Sequence, residues 1–281
     1  MFLRLLYSQT HLWHKTIRIA ETSAGPSAFG RSYGYYPNNS VIAGDIWFSL
    51  AKHRDPIIGN NSYFVFGHEL GHAIGMPHGH KDEHGIGGAA MDFDRDSHEF
   101  SIMTYHSYVG GPEFYTNGTW DSSQSLMMYD IRAIQHMYGA NFNTNSNNTT
   151  YTFSTATGEM FINGVGQGVP GANRIFRTIW DGNGIDTYNF SNYTTNLSIN
   201  LTPGGWSDLD TDGLSQKAYL GDGNFARGHV FNALQFEGDS RSLIENANGG
   251  SGNDRIQGNS AANNLNGGLG QDTLRGERGD D

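Results

Sequence analysis

The 281-residue chain contains no cysteine. That excludes a disulfide framework, a thiolate metal site and a cysteine nucleophile. Proline is scarce at seven residues, and no apolar run approaches the roughly 20 residues that span a bilayer. Positive charge is short too: 17 Lys and Arg stand against 28 Asp and Glu, a formal net charge of −11. This balance argues against nucleic acid as a partner and suits a protein that binds cations. The opening Met1-Phe-Leu-Arg-Leu-Leu is a poor signal peptide, because Arg4 interrupts a short apolar stretch and no cleavage site follows. Glycine, at 39 residues, is in excess and Asn is plentiful, so turns make up much of the chain. The length suits one large or two ordinary domains.

The most specific feature is His68-Glu-Leu-Gly-His-Ala-Ile-Gly-Met-Pro-His78. On a helix, positions i and i+4 lie about 40° apart in rotation and roughly 6 Å apart in rise. His68 and His72 therefore share a face, with Glu69 beside them. Gly75 can adopt the left-handed conformation that ends a helix, letting His78 return as a third nitrogen ligand. Three imidazoles leave one position of a zinc ion open, as catalysis requires. The bland alternative is a histidine-rich surface helix, and the extended HExxHxxGxxH spacing is too specific for it.

Around this motif the chain reads as short strands at Thr16–Ala20, Ser32–Tyr36 and Asp45–Ser49, with Pro37, Asn38 and Asn39 supplying a turn. The zinc helix is expected from Asn61 to Gly75 with Ser62 as N-cap. A loop over the site is expected from His80 to Asp96. A second helix is expected from Ser122 to Tyr138, where Met127, Ile131, Ile134 and Tyr138 recur at helical spacing as core residues and Gly139 is a natural stop. Beyond Ala140 the composition shifts to Asn, Thr and Gly with short alternating strands, which marks the domain boundary.

The final stretch carries a nine-residue repeat. Gly249 to Gln257 fits G-G-x-G-x-D-x-U-x throughout, Gly258 to Asn266 is a degraded copy, Gly267 to Arg275 fits fully, and Gly276 to Asp281 begins a fourth. This pattern belongs to calcium-binding parallel β-rolls. Each unit is a glycine loop closed by an aspartate, then a short strand whose apolar residue (Ile256, Leu265, Leu274) points into a thin core. Two repeats make one turn, so Asp254 should lie over Asp272 and Asn263 over Asp281. A flexible Gly/Asn linker would need no fixed period.

Motif and repeat together resemble the serralysins, secreted bacterial metalloproteases. Phe100-Ser-Ile-Met-Thr-Tyr105 is similar to that family's Met-turn, Tyr129 to Asn141 to its inter-domain segment, and Trp180 to Thr187 to its first calcium loop. The resemblance implies an α+β chain: a metzincin zinc-protease catalytic domain over 1–140, followed by an all-β calcium-binding parallel β-roll over 141–281. It implies that His68, His72 and His78 hold one zinc, that Glu69 is the general base, that Met103 forms an apolar floor, and that Tyr105 is a displaceable fifth ligand. His80, His84, His98 and His106 have no matching role and read as surface or supporting residues. Trp47 and Phe48 read as sheet core on a strand that would form the substrate-binding edge.

For calcium, the positions implied are Gly250, Gly252 and Asp254 against Gly267, Leu269 and Asp272, and Asn259, Ala261 and Asn263 against Gly276, Arg278 and Asp281. At the junction they are Asp181, Asn183, Gly184, Asp186, Glu245 and Thr149. Asn263 replaces an aspartate, so its site should bind more weakly. Gly79 stands where serralysins usually have proline. The chain also lacks counterparts of the family's N-terminal helix, first strand and later repeats, and reads as shortened at both ends.

The function implied is a secreted, extracellular, monomeric zinc endopeptidase. It would cleave extended protein or peptide substrates by a zinc-activated water, have broad specificity, and leave the cell through a type I secretion apparatus. Calcium would fold the roll outside the cell. Two alternatives stay open: a calcium-folded binding or adhesion protein of the same repeat class, and an inactive protease fragment.

Overall fold

The computed structural model describes residues 17–22, 33–38, 40–49, 51–81 and 90–279. The Met1–Leu6 stretch, Thr16, Ser32, Asn39, His84, Asp281 and residues 82–89 of the loop expected over the site lie outside them. The described chain is mostly β with few helices. Among the described residues no helix is long and apolar enough to cross a membrane.

Strands β1 (Ile19–Thr22), β2 (Tyr33–Gly34) and β3 (Ile46–Ser49) form a sheet in the order β1-β3-β2, with β1 parallel and β2 antiparallel to β3. The strand bearing Trp47 and Phe48 is therefore central among the described residues, not the edge expected for it. Its two edges pair with Ile19–Thr22 and with Tyr33–Gly34, which leaves β2 as an outer strand lying against the histidine helix. Phe48 is buried as expected, while Trp47 is 38% exposed.

Helix α1 runs Asn61–Ala73. Its N-cap is Asn60, not Ser62: the Asn60 side chain accepts the Tyr63 amide at 2.8 Å, satisfying a donor that has no partner inside the helix. Gly75 ends the helix at φ +109°, with the amides of Gly75 and Met76 closing on His72 and Gly71. Helix α2 runs Met128–Tyr138, six residues shorter at its start than its periodicity suggests. The Ser-rich lead-in is held out of the helix by distant backbone, with Gln124 N donating to Phe176 O and Thr178 N to Ser125 Oγ. Gly139 stops α2 as expected. Met127 is buried at the N-cap, whereas Tyr138 is 45% exposed and donates its hydroxyl to Ile74 O.

The C-terminal half holds β4 (Thr150–Phe153), β5 (Met160–Ile162), β6 (Val165–Gly166), β7 (Arg177–Ile179), β8 (Thr187–Asn189), β9 (Ser198–Asn200) and β10 (Trp206–Ser207). Then follow β11 (Tyr219–Gly221), β12 (Asn224–Phe225), β13 (Val230–Asn232), β14 (Asn246–Asn248), β15 (Arg255–Gln257), β16 (Asn264–Asn266) and β17 (Thr273–Arg275). Two sheets, β16-β14-β8-β4-β5-β6 and β17-β15-β9, contain the repeats. Ala247 pairs with Leu265 and Ile256 with Leu274, both in parallel register. That is the eighteen-residue turn expected of alternate nine-residue units. Ile256 is fully buried and Leu265 packs partly on the core, but Leu274 is 45% exposed. Among the described residues no strand pairs beyond β17.

Two apolar clusters hold the chain. One, of the residues from Tyr151 to Ile256, includes Tyr188, Phe190, Leu197 and Ile199 and fills the roll. The other joins Ile46, Phe64, Ile102, Met103 and Met128 to Phe176, Leu220 and Phe231, so it draws from both sides of Ala140.

Candidate metal centre

The i, i+4 spacing on α1 brings His68 and His72 to one side, with ring centroids 4.7 Å apart, and the Gly75 turn returns His78 to 4.5 Å from His72. The candidate ligand atoms of the three histidines all lie within 4.8 Å of one another. His72 Nε2 and His78 Nε2 are 3.2 Å apart. Two nitrogens each bonded to one tetrahedral zinc at about 2.05 Å would sit about 3.3 Å apart.

Tautomers follow from the partners. His68 Nδ1 is 2.7 Å from Ile102 O and His72 Nδ1 is 2.8 Å from Met76 O. A carbonyl only accepts, so both rings carry their proton on Nδ1 and present the Nε2 lone pair to the common point. Burial pushes the His68 imidazole well below its usual range, aided by the neighbouring His72, which keeps it neutral and able to ligate. Gly71 lets the Met-turn pass beneath α1: a Cβ there would collide with Met103 Sδ. Met103 is 2% exposed and underlies the helix turn between the two histidines.

Glu69 is 8% exposed, and its Oε2 accepts the Gly34 amide at 2.5 Å. Burial pushes its carboxyl up to about 7, against the pull of that hydrogen bond. The Tyr105 ring lies 4.7 Å from His78 and 5.8 Å from His68, centroid to centroid. His80 is 4.5 Å from Tyr105 and pairs with Glu113 at 3.2 Å. His98 and His106 lie behind the Met-turn, against Thr104 O and Asp96.

A second cluster of candidate ligands meets at the junction. Asp181 and Asp186 are buried; Asp186 Oδ1 accepts from Thr149 N at 2.7 Å, and its own amide donates to Glu245 Oε2 at 2.7 Å. Asp181 accepts from Asn183 N and from the Tyr151 hydroxyl, and Gly184 turns between the two carboxylates at φ +142°. Burial, then repulsion from Asp181, pushes Asp186 up to about 8, while Asp186 Oδ2 is buried without a hydrogen-bond partner. An orphaned buried oxygen next to a second buried carboxylate suits a hard cation.

A family model described as the peptidase M10 serralysin C terminal matches residues 140–281, half of the chain. The chain belongs to the serralysin family. Its relatives include Metallopeptidase AprA of Pseudomonas marginalis, 32% identical over 241 residues, covering 83% of this chain and 46% of that protein. Serralysin G of Dickeya chrysanthemi is 33% identical over 246 residues, with 83% and 44% covered. Serralysin C of the same organism is 35% identical over 229 residues, with 80% and 42% covered. The chain thus spans under half the length of these serralysins, and the similarity runs beyond the half matched by the family model.

In the serralysin repeats, Asp254 N donates to Asp272 Oδ1 at 2.9 Å, so the two aspartates stack as their spacing requires. Asp254 also accepts from Gly250 N and Leu197 N. Gly252 and Gly270 pack backbone to backbone, Gly267 lies against Gly249, and Leu269 N donates to Gly250 O. Gly276 and Ala261 similarly abut Gly258 and Gly279, and Arg278 is exposed. Asn259 and Asn263 differ: the Asn259 amide donates to Leu201 O and Ile244 O, and the Asn263 amide to Glu245 O. Those groups serve protein partners.

Two contributors were not foreseen. Gly34 gave no motif, only a glycine between tyrosines, yet its amide meets Glu69. Asp130 lay within the inter-domain segment, and its one local signal was its place three residues after the N-cap Met127.

Proposed function

We propose that this chain is a zinc-dependent endopeptidase, with residues 1–140 acting as a metzincin catalytic domain and residues 141–281 as a calcium-folded roll. The observation that carries this reading is the convergence of His68, His72 and His78 with a buried Glu69 alongside. The donor set of neutral imidazoles, each oriented by a backbone carbonyl at His68 and His72, fits zinc.

Zinc in such a site supplies a Lewis acid that polarises a carbonyl and lowers the pKa of water toward about 7. Glu69 accepts the proton of the attacking water as its oxygen bonds to the scissile carbonyl carbon. The same carboxyl then returns that proton to the amine as the C–N bond breaks, a role worth roughly 10²–10⁴-fold. Tyr105, whose ring lies beside that of His78, donates its hydroxyl to the oxyanion of the tetrahedral intermediate. An extended peptide pairs along an exposed strand edge, and β2 is the edge nearest Glu69. Backbone pairing tolerates many side chains, so broad specificity follows. The junction carboxylates and the stacked Asp254 and Asp272 take calcium, and at about 10⁻⁴–10⁻³ M affinity the roll folds outside the cell.

Casein hydrolysis by the purified chain in zinc and calcium tests the reading. Glu69→Ala should abolish cleavage and keep zinc. Zinc lost with Glu69→Ala would refute its role as base, and no hydrolysis by the wild type would favour a calcium-folded binding module.

A further inference from the structure

We infer that Asp130 is a positioning residue of the metal centre, acting through the Met-turn on two of the three histidines. This rests on reading His68, His72 and His78 as metal ligands. Asp130 is 1% exposed, on the first turn of α2 and well removed in sequence from the histidine helix. Its Oδ1 accepts the Ser101 hydroxyl at 2.6 Å, and its Oδ2 accepts the amides of Ile102 and Met127, each at 2.8 Å. Ser101 Oγ in turn accepts the Met103 amide at 2.9 Å. One carboxylate thereby fixes three consecutive residues of the Met-turn to the start of α2.

The other side of those peptides faces the site. Ile102 O accepts from His68 Nδ1 at 2.7 Å, and Met103 O accepts from the amide of Gly79, next to His78, at 3.0 Å. A rotation of the Met-turn peptides would turn the His68 ring and shift the backbone that delivers His78. His72 is held separately, by Met76 O. Asp130 therefore governs the alignment of two ligands with a third that does not depend on it. Groups bonded directly to metal-bound histidines typically change metal affinity by about 10–100-fold when removed, and Asp130 acts one hydrogen bond further out.

The test is zinc affinity of the calcium-loaded full chain, measured by competition with a chromophoric chelator, alongside the melting temperature. Asp130→Ala should weaken zinc binding by roughly 10-fold, the low end of that range. Asp130→Asn, which keeps one acceptor oxygen, should recover part of the loss, and Ser101→Ala should shift affinity the same way by less. Asp208→Asn is the control for instability alone, since Asp208 sits with Lys217 and His229 in the C-terminal half; it should lower the melting temperature and leave zinc affinity unchanged. Should Asp130→Ala fail to fold, Asp130→Asn and Ser101→Ala decide. Wild-type zinc affinity in the folded Asp130 and Ser101 variants would overturn the inference, as would an equal loss in Asp208→Asn. A wild-type chain that takes up no zinc would instead overturn the reading of the histidines as ligands.

Discussion

The backbone amide of Gly34 donates to the Glu69 carboxylate at 2.5 Å, tying the edge strand β2 to the helix that carries the candidate base. A Cβ at position 34 would drive into the Glu69 carbonyl oxygen and touch His72 Cβ. Backbone cannot yield as a flexible side chain can, so the strand must move. Gly34→Ala should destabilise the chain by about 1–3 kcal/mol and reduce casein turnover more than zinc content. Thermal melts with metal analysis check this; full turnover at normal stability would show that β2 does not bear on Glu69.

If Asp186 is a calcium ligand, as proposed, its titration gives calcium a measurable linkage. Its carboxyl is raised from 3.8 to about 8 when folded without calcium. Between those values the folded chain binds more protons than the unfolded one, so stability falls as pH rises. In chelator the roll should melt at a higher temperature near pH 5 than near pH 8. Calcium competes with the proton for the same oxygens and should flatten this dependence, raising the pH 8 value most. Asp186→Asn should raise the chelated melting temperature at pH 8 and shrink the calcium increment. A calcium increment unaltered by that substitution would remove Asp186 from the ligand set.

What was legible in the sequence was local. The i, i+4 histidines, the Gly75 turn and the eighteen-residue stacking of Asp254 on Asp272 each depend on a short, regular period. Where distant backbone intervenes the reading failed. Ser122–Met127 has helical spacing but pairs with residues 174–178, and the strand of Trp47 became central because Ile19–Thr22 and Tyr33–Gly34 flank it. The roll also extends to β8 and β9, which carry no glycine repeat but pair in register with β14 and β15. Asp130 has the same character, since its partners in the Met-turn lie 28 and 29 residues away.

Asp208 joins a buried polar group that no motif announced. Its Oδ2 is 2.7 Å from Lys217 Nζ, both side chains being mostly buried, and its Oδ1 is 3.3 Å from His229 Nδ1. Burial raises its carboxyl, but the adjacent His229 ring and the hydrogen bonds from Lys217 and the Asp210 amide outweigh that and lower it from the usual 3.8. A depressed carboxyl contributes stability above its unfolded pKa, lost as pH falls through the folded value. Asp208→Asn should cost about 3–5 kcal/mol at neutral pH by leaving Lys217 buried without its counter-ion. The deficit should narrow below about pH 4. Denaturant melts at pH 7 and pH 3 measure both; an equal deficit at each would sink the assignment.

Asn259 and Asn263 separate a calcium role from a structural one. The Asn259 amide donates to Leu201 O at 3.0 Å and Ile244 O at 2.8 Å, while its oxygen accepts from Ala261 N and the Asn263 amide. Aspartate at 259 would place a carboxylate oxygen against two buried carbonyls, and each donor lost costs about 1–3 kcal/mol. If Asn259 instead faced a cation, the added charge would strengthen calcium binding and raise stability in calcium. The hydrogen bonds favour the first outcome, so Asn259→Asp should melt lower than wild type even in saturating calcium. A calcium titration that tightens with this substitution, with the melting temperature rising alongside, would return Asn259 to the ligands.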